Sequence, residues 1–240
     1  MKRLFWSLLV SGYCFLNTVC CNATPSTQIW NPSTDIQELN KWHLGIDNYF
    51  SVTDNKTKPV NVPTDVNLTY GLVKNLEVGF DFYGANYFGA PDDPVQFNAK
   101  YGLPEGDKMP TIAVGGMNFG TKPNFTDFNI LYGVIAKTFK PVGRVSLGYY
   151  SGNNKLLLDE KGQAANSGMI ASFDKQINDK WWAAIDYASG QSYYGVMSAG
   201  FSYNFAPNTS VIFGYVIPNN PNAVGGYVNH MVTTQLDINF

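Results

Sequence analysis

The sequence predicts an all-β fold: a single twelve-stranded antiparallel transmembrane β-barrel, with short turns at one end and longer loops at the other. Three observations predict it. From Trp42 onward, apolar and polar residues alternate in segments separated by turn clusters, as in strands with two different faces. The number of such segments is even. Only 14% of the residues are charged, against about 25% in a soluble domain.

The first 23 residues are expected to be a secretory signal peptide. Lys2 and Arg3 give it a charged start, residues 4–19 form an apolar run, and Cys21-Asn22-Ala23 offers small residues at a cleavage site. Without Lys2 and Arg3, the chain keeps 14 basic residues (16 minus 2) against 18 acidic ones, a net charge of -4. An acidic chain does not suit a nucleic-acid partner, which requires a basic patch.

All three cysteines (Cys14, Cys20 and Cys21) lie in this segment, so cleavage after Ala23 leaves a protein without thiols. A lipoprotein with lipid on Cys20 or Cys21 is an alternative, although the preceding residues are not the Gly or Ala preferred there. No later segment has the roughly 20 consecutive apolar residues of a membrane-spanning helix.

Residues 24–41 form a polar N-terminal stretch before the first strand. Ser33, Thr34 and Asp35, followed by Gln37 and Glu38, resemble a helix start, which predicts one short helical turn. Nothing in the sequence decides whether this stretch enters the barrel or hangs free.

The remaining chain, 42–240, divides into strands joined by connections of alternating length. Pro, Gly, Asn and Asp fill these connections, because turns need a preset or positive φ. The short ones are 73–75, 104–109, 140–143, 178–180 and 206–209; the others, mostly longer, are 53–64, 87–93, 121–127, 153–167, 190–192 and 219–229. The predicted strands are 42–52, 65–72, 76–86, 94–103, 110–120, 128–139, 144–152, 168–177, 181–189, 193–206, 210–218 and 230–240.

The sheet is expected to close because lipid is its solvent. In lipid every backbone donor and acceptor must be paired within the protein, which leaves helices or closed barrels. In a bacterial barrel the short turns and both termini face the periplasm, so residues 24–41 are expected to be a periplasmic stretch and the longer loops to be extracellular.

Alternation alone also fits a soluble sandwich, and aromatic placement decides between the two. The last strand puts Val232, Leu236 and Ile238 on one face and Gln235 and Asp237 on the other. Five aromatic residues fall at the short-turn ends of outward faces, where a membrane-interface girdle is expected: Trp42, Tyr101, Trp181, Phe205 and Phe240.

Two segments carry a family resemblance. Leu236-Asp237-Ile238-Asn239-Phe240 resembles the C-terminal signature of bacterial outer-membrane, porin-like barrels, which implies that the barrel assembly machinery reads Phe240. The segment 68–79 (LTYGLVKNLEVG), followed by Asn98-Ala99-Lys100-Tyr101, resembles the outer-membrane family associated with meta-pathway phenol degradation. The second resemblance implies an outer-membrane barrel and identifies no solute.

The inward faces carry the candidate lumen-lining residues. They are read either as a polar pathway whose acidic excess favours cations or as mutually paired charges that support the wall. The candidates are Asp47, Glu77, Asp81, Lys100, Lys137, Arg144, Asp174, Asp186 and Asp237. Glycines predicted on the same face either keep the lumen open or allow curvature; they are Gly45, Gly71, Gly79, Gly102, Gly133, Gly148, Gly200 and Gly214.

An enzyme is not expected. The histidines are His43 and His230, and neither has a Ser two positions on to act as a nucleophile. An omptin-like hydrolase using Asp92, Asp93 and His230 at the outer end is a remaining hypothesis. Metal-ligand spacing and a phosphate-binding loop are both lacking, so no metal and no cofactor are expected.

The outer loops hold two further features. The triplet Leu156-Leu157-Leu158 is expected either to extend the seventh strand or to fold inward as a constriction. Four rings near the outer mouth could stack on an aromatic or sugar-like solute: Phe88, Tyr193, Tyr194 and Tyr227.

Taken together, these features predict a porin-like channel in the outer membrane through which small solutes diffuse. Twelve strands give a backbone diameter of roughly 24 Å. The expected partners are outer-membrane lipid, the assembly machinery and small solutes. The alternative is a structural or surface-interaction barrel with a filled lumen, and the hydrolase is a third possibility.

Overall fold

The computed structural model describes residues 26–52, 64–85, 93–225 and 230–240; the expected signal peptide lies outside them. Twelve strands are present, and no predicted boundary differs from the observed one by more than three residues. The strands are β1 Trp42–Ser51, β2 Thr64–Val73, β3 Leu76–Ala85, β4 Val95–Leu103, β5 Thr111–Gly120, β6 Ile130–Phe139, β7 Gly143–Gly152, β8 Ser167–Gln176, β9 Trp181–Ala188, β10 Val196–Ala206, β11 Thr209–Pro218 and β12 Met231–Asn239.

Each strand pairs antiparallel with its sequence neighbour, and β1 pairs with β12 to close the barrel. The seam runs from His43 opposite Asn239 to Ser51 opposite Met231. It is extended at the short-turn end by reciprocal backbone hydrogen bonds between Trp42 and Phe240, at 2.8 and 3.0 Å. The predicted closed twelve-stranded antiparallel sheet is therefore confirmed. Among the described residues, no helix is long and apolar enough to cross a membrane.

The outer surface of the barrel is apolar. Large side chains such as Phe97, Leu131 and Leu147 are more than half exposed. A continuous belt of exposed apolar side chains is not found on surfaces that face water. Hydrocarbon is the solvent that suits this surface, so the fold is a transmembrane barrel. All five predicted girdle aromatics are exposed: Trp42, Tyr101, Trp181, Phe205 and Phe240.

Part of the interior is an apolar core. Strand β6 carries apolar residues on both faces, and its inner ones pack beside β7 to β9. Leu157, from the loop after β7, is fully buried in this cluster. Strand β7 ends at Gly152, so the leucine triplet does not extend the strand; Leu157 folds inward, whereas Leu156 and Leu158 are half-buried. The cluster comprises Ile130, Tyr132, Val134, Tyr150, Leu157, Ile170, Ala188 and Tyr194.

Residues 26–38 lie inside the lumen, and we call them the plug. The chain enters at the short-turn end, where the Asn40 N–H donates to the Gly71 carbonyl at 2.8 Å. A β-bridge between Thr27 and Pro32 makes a tight bend, and Gln28 and Ile29 within it are 1% exposed. The helical turn predicted from Ser33 is not formed.

Inward glycines make room for the plug. A Cβ added at Gly71 would overlap the carbonyl of Glu38, and one at Gly102 would lie 2.8 Å from the Ile36 side chain. The prediction was wrong for Gly133, which lies between the inward residues Tyr132 and Val134 and therefore faces outward. Close approach of a second chain segment is thus one reason for glycine here, alongside curvature.

Candidate functional site

The plug is fixed at its tip by one carboxylate. Oδ2 of Asp186, on β9, accepts the backbone N–H groups of Ile29, Trp30 and Asn31 at 3.1, 3.0 and 3.2 Å. The Ser198 hydroxyl donates to the other oxygen. Asp186 is 1% exposed, and these four donors compensate the cost of burying its charge.

A second anchor joins the plug to β7 and β8 through Arg144. Its Nη1 and Nη2 donate to the two carboxylate oxygens of Asp35 at 2.6 and 2.8 Å, and its Nε donates to Asp174 at 2.9 Å. Burial acts to raise the pKa of Asp35, but the Arg144 charge and hydrogen bonds outweigh it and hold that pKa below its usual value. Asp174 also accepts a bond from Gln28 of the plug at 2.8 Å.

A third anchor lies across the barrel on β3 and β4. Glu77 forms an ion pair with Lys100 at 3.1 Å. It also accepts the Ser26 hydroxyl at 2.8 Å and the Gln37 backbone N–H at 2.6 Å. Glu77 and Lys100 are 3% and 2% exposed, so the pair neutralises itself in the wall and leaves no free charge.

The two remaining predicted charges are also paired. Asp237 lies 3.4 Å from His43 across the seam between β12 and β1. Lys137 does not line the lumen as predicted: it follows the inward Ala136 and so lies on the outward face of β6. At the short-turn end its Nζ is 2.9 Å from Glu105 and also donates to the Gly106 carbonyl at 3.0 Å. The pKa of Glu105 is lowered: slight burial acts to raise it, but the bonds from Lys137 and Thr138 prevail.

Between the plug and strands β1 to β6 lies a cavity of ≈ 330 Å³. Of the predicted lumen residues, Asp47, Glu77, Asp81 and Lys100 line it. Arg144, Asp174 and Asp186 hold the plug instead. The lumen is therefore divided into one part filled by the plug and apolar core and one part that stays open and polar.

The sequence prediction missed Asp65, which lines the cavity opposite Asp47. Asp65 is the first residue of the predicted second strand and shares its inward face with Thr69 and Gly71. The parity of the strand could have identified it. The plug could not have been identified in this way, because it lies outside the alternating segments.

The hydrolase residues form no described constellation. Asp92 lies outside the described residues. Oδ2 of Asp93 is 3.9 Å from Nζ of Lys122, and Nδ1 of His230 is 3.0 Å from the Tyr215 hydroxyl. Of the four predicted mouth aromatics, Tyr193 and Tyr194 line the cavity, whereas Phe88 and Tyr227 fall outside the described ranges.

Comparisons with known proteins agree with the barrel architecture. No protein-family model matches the chain, and no curated protein matches its sequence. Among solved structures, the NanC porin is 12% identical with a TM-score of 0.52, over 82% of this chain and 98% of that chain. The KdgM porin, solved in complex with disordered oligogalacturonate, is 8% identical with a TM-score of 0.51, over the same 82% and 98%. At these identities the likeness shows the fold.

Proposed function

We propose that this protein is an outer-membrane, porin-like channel that lets small solutes pass beside a fixed plug. The observation that carries the proposal is the polar cavity of ≈ 330 Å³ inside a closed barrel with an apolar outer belt. The two similar folds cited above are those of proteins named as porins, which supports the same function here.

The cavity runs lengthwise. Its lining on β1 extends from His43 to Tyr49, seven residues that span about 20 Å along the strand. At a strand tilt of about 40° this is roughly 15 Å along the barrel axis, or about half of the roughly 30 Å hydrocarbon thickness. Because the plug and the apolar core occupy the rest of the lumen, we expect a narrow path that admits only small solutes.

The plug is part of the wall in this proposal. Its carboxylate, amide and backbone contacts reach β3, β7, β8 and β9. Charge-assisted bonds of this kind are roughly twice as strong as neutral ones. Solutes therefore pass beside the plug without displacing it.

Planar-bilayer recording on the mature protein tests the channel. We expect small, discrete conductance steps with a preference for cations, because three of the carboxylates lining the cavity have no basic partner among the described residues. Asp81→Asn should weaken the cation preference, measured as a shift in reversal potential under a salt gradient. The control Asp179→Asn, at an exposed turn, should leave it unchanged.

A barrel with a filled lumen is the second candidate, and the buried plug and inner core favour it. It predicts silent bilayers and no swelling of liposomes in small sugars. That result would overturn the channel proposal and leave a structural or surface-interaction barrel.

The proposed environment follows from the surface. The exposed belt contacts outer-membrane lipid, and residues 1–23 direct export. The exposed Phe240 ring at the end of the closing strand is the proposed recognition signal for the barrel assembly machinery. The proposed function is non-enzymatic and uses no cofactor or metal.

A further inference from the structure

Three carboxylates share the open part of the lumen. Asp47 on β1 lies directly opposite Asp65 on β2, and Asp81 on β3 lies opposite Asn67 of β2. All three side chains line the cavity. The antiparallel register therefore concentrates negative charge on one wall, formed by β1, β2 and β3.

Within the described ranges, none of these three carboxylates forms an ion pair. Asp47 accepts a bond from the Asn67 amide at 3.3 Å, and Asp81 accepts one from Asn98 at 2.8 Å. Of the bases that line the cavity, Lys100 is held by Glu77 and His43 by Asp237. No cation from the described wall thus balances this charge.

Two carboxylate oxygens also lack a hydrogen-bond donor in the part of the chain that the structure describes. They are Oδ1 of Asp65 and Oδ1 of Asp47, both buried, and Asp65 is only 8% exposed. Buried carboxylate oxygens are costly unless they are paired or bonded. A bound cation with N–H donors would satisfy both oxygens.

Aromatic rings form a second layer towards the long-loop end. Tyr49 follows Asp47 by two residues on the same inward face, and Tyr83 follows Asp81 likewise, a step of about 7 Å. The Trp30 ring of the plug meets Tyr49 edge-on at 5.7 Å and approaches Tyr194 at 6.3 Å.

The hydroxyl of Tyr194 is an independent sign of a ligand site. Tyr194 lines the cavity and is 2% exposed, and its hydroxyl has no hydrogen-bond partner among the described residues. Buried tyrosine hydroxyls normally find a partner. It adds an unfilled polar contact on the aromatic side of the same cavity.

The chemistry of the donors favours an organic cation over a metal ion. No three His, Cys, Asp or Glu side chains in the described part of the chain converge closely enough to hold a metal. The cavity volume of ≈ 330 Å³ falls at the lower end of the range for small-molecule sites. Aromatic faces attract ammonium groups and stack on aromatic rings.

We propose that the lumen binds a small organic ammonium compound, with the ammonium group at the opposed Asp47 and Asp65 beside Asp81, the apolar part against the rings of Trp30 and Tyr49, and a polar group within reach of the Tyr194 hydroxyl. The inference rests on the proposed function, since it requires a lumen that solutes can enter. It names amines as the solute class that the channel selects.

Calorimetric titration of the mature protein in detergent micelles tests this inference. The probes are 2-(4-hydroxyphenyl)ethylammonium and its neutral analogue 2-(4-hydroxyphenyl)ethanol, whose ring hydroxyl can pair with that of Tyr194. We expect the ammonium compound to bind at least about tenfold more tightly, because only it can pair with the carboxylates. The double variant Asp65→Asn/Asp81→Asn should remove this preference and leave the alcohol's affinity unchanged, whereas Asp179→Asn should change neither.

Equal affinities for the two probes, or no saturable binding of the ammonium compound, would overturn the inference. Either result would mean that the carboxylates are satisfied without a ligand, for example by sharing protons. Micelle binding and bilayer conductance are separate readouts. Conductance without preferential binding of the ammonium compound would support the channel and contradict the amine site. Preferential binding without conductance would support the amine site and contradict the channel.

Discussion

Arg144 is the residue on which the seating of the plug most depends. Its guanidinium bridges Asp35 in the plug and Asp174 in the wall, and its side chain is 16% exposed. Removing one member of a buried charge network leaves the others uncompensated, which costs more than the lost bonds alone.

The variant Arg144→Gln tests this role. We expect its free energy of unfolding to fall by about 3 kcal/mol, because two carboxylates lose their cation in a poorly hydrated lumen. Urea unfolding in micelles measures the change. Lys140→Gln, at an exposed turn, serves as the control and should stay within about 0.5 kcal/mol. An equal loss in both variants would contradict the role of Arg144.

For individual residues, strand parity predicts which face of the sheet a charged side chain lies on, but it does not predict which residue that side chain pairs with. The parity of each strand put Glu77 and Asp186 inward, which is where they lie. Their partners Gln37 and Ile29 lie in the N-terminal stretch, and no periodicity connects that stretch to any strand.

Among the elements, the strands were the predictable part. Alternation persists through nearly every segment because one face meets lipid and the other a polar lumen. Strand β6 departs from this rule, since its inner face packs in the apolar core. Its apolar residues on both faces were a signal of interior packing.

The plug escaped prediction for a physical reason. Most of its residues are Ser, Thr, Asn, Gln or Pro, which are equally suited to water and to a polar lumen wall. Only the matching carboxylates and inward glycines of the barrel select the second environment. Those carboxylates and glycines are distributed over several strands, and they come together around the plug only in the folded barrel.

A disulfide between plug and wall tests whether the plug moves during conduction. Ile36→Cys/Gly102→Cys is suitable, because a Cβ at position 102 lies 2.8 Å from Cγ1 of Ile36, close to where the sulfur of a cysteine would lie. The two Cβ atoms are therefore no more than about 4.5 Å apart, the upper end of the range in disulfides. We expect single-channel conductance to be the same in the oxidised and reduced protein. A conductance that rises on reduction would show that the plug must leave for solutes to pass.

For the whole molecule, the exposed belt decides the environment. The same alternation could serve a soluble sandwich, but the observed sheet closes on itself and keeps its phenylalanines and leucines outside. Closure pairs the first strand with the last, so the barrel forms only when the C-terminal segment is in place.

Phe240→Ala tests the contribution of that segment. We expect severalfold less folded barrel in the outer membrane, measured by heat-modifiable migration in gel electrophoresis. Its backbone pairing with Trp42 survives the change, so a loss would point to recognition of the ring. Phe205→Ala removes another exposed ring and should have little effect. Equal losses in both variants would indicate a general need for apolar surface.

The positions of two plug anchors have a mechanical consequence. Glu77 on β3 and Asp186 on β9 are six strands apart in a ring of twelve, and thus face each other across the diameter. The segment bonded to both acts as an internal strut. A bare sheet of this size can flatten into an ellipse under lateral pressure from the bilayer, whereas a strutted one keeps its cross-section. We therefore expect the width of the passage to change little with the tension in the surrounding membrane.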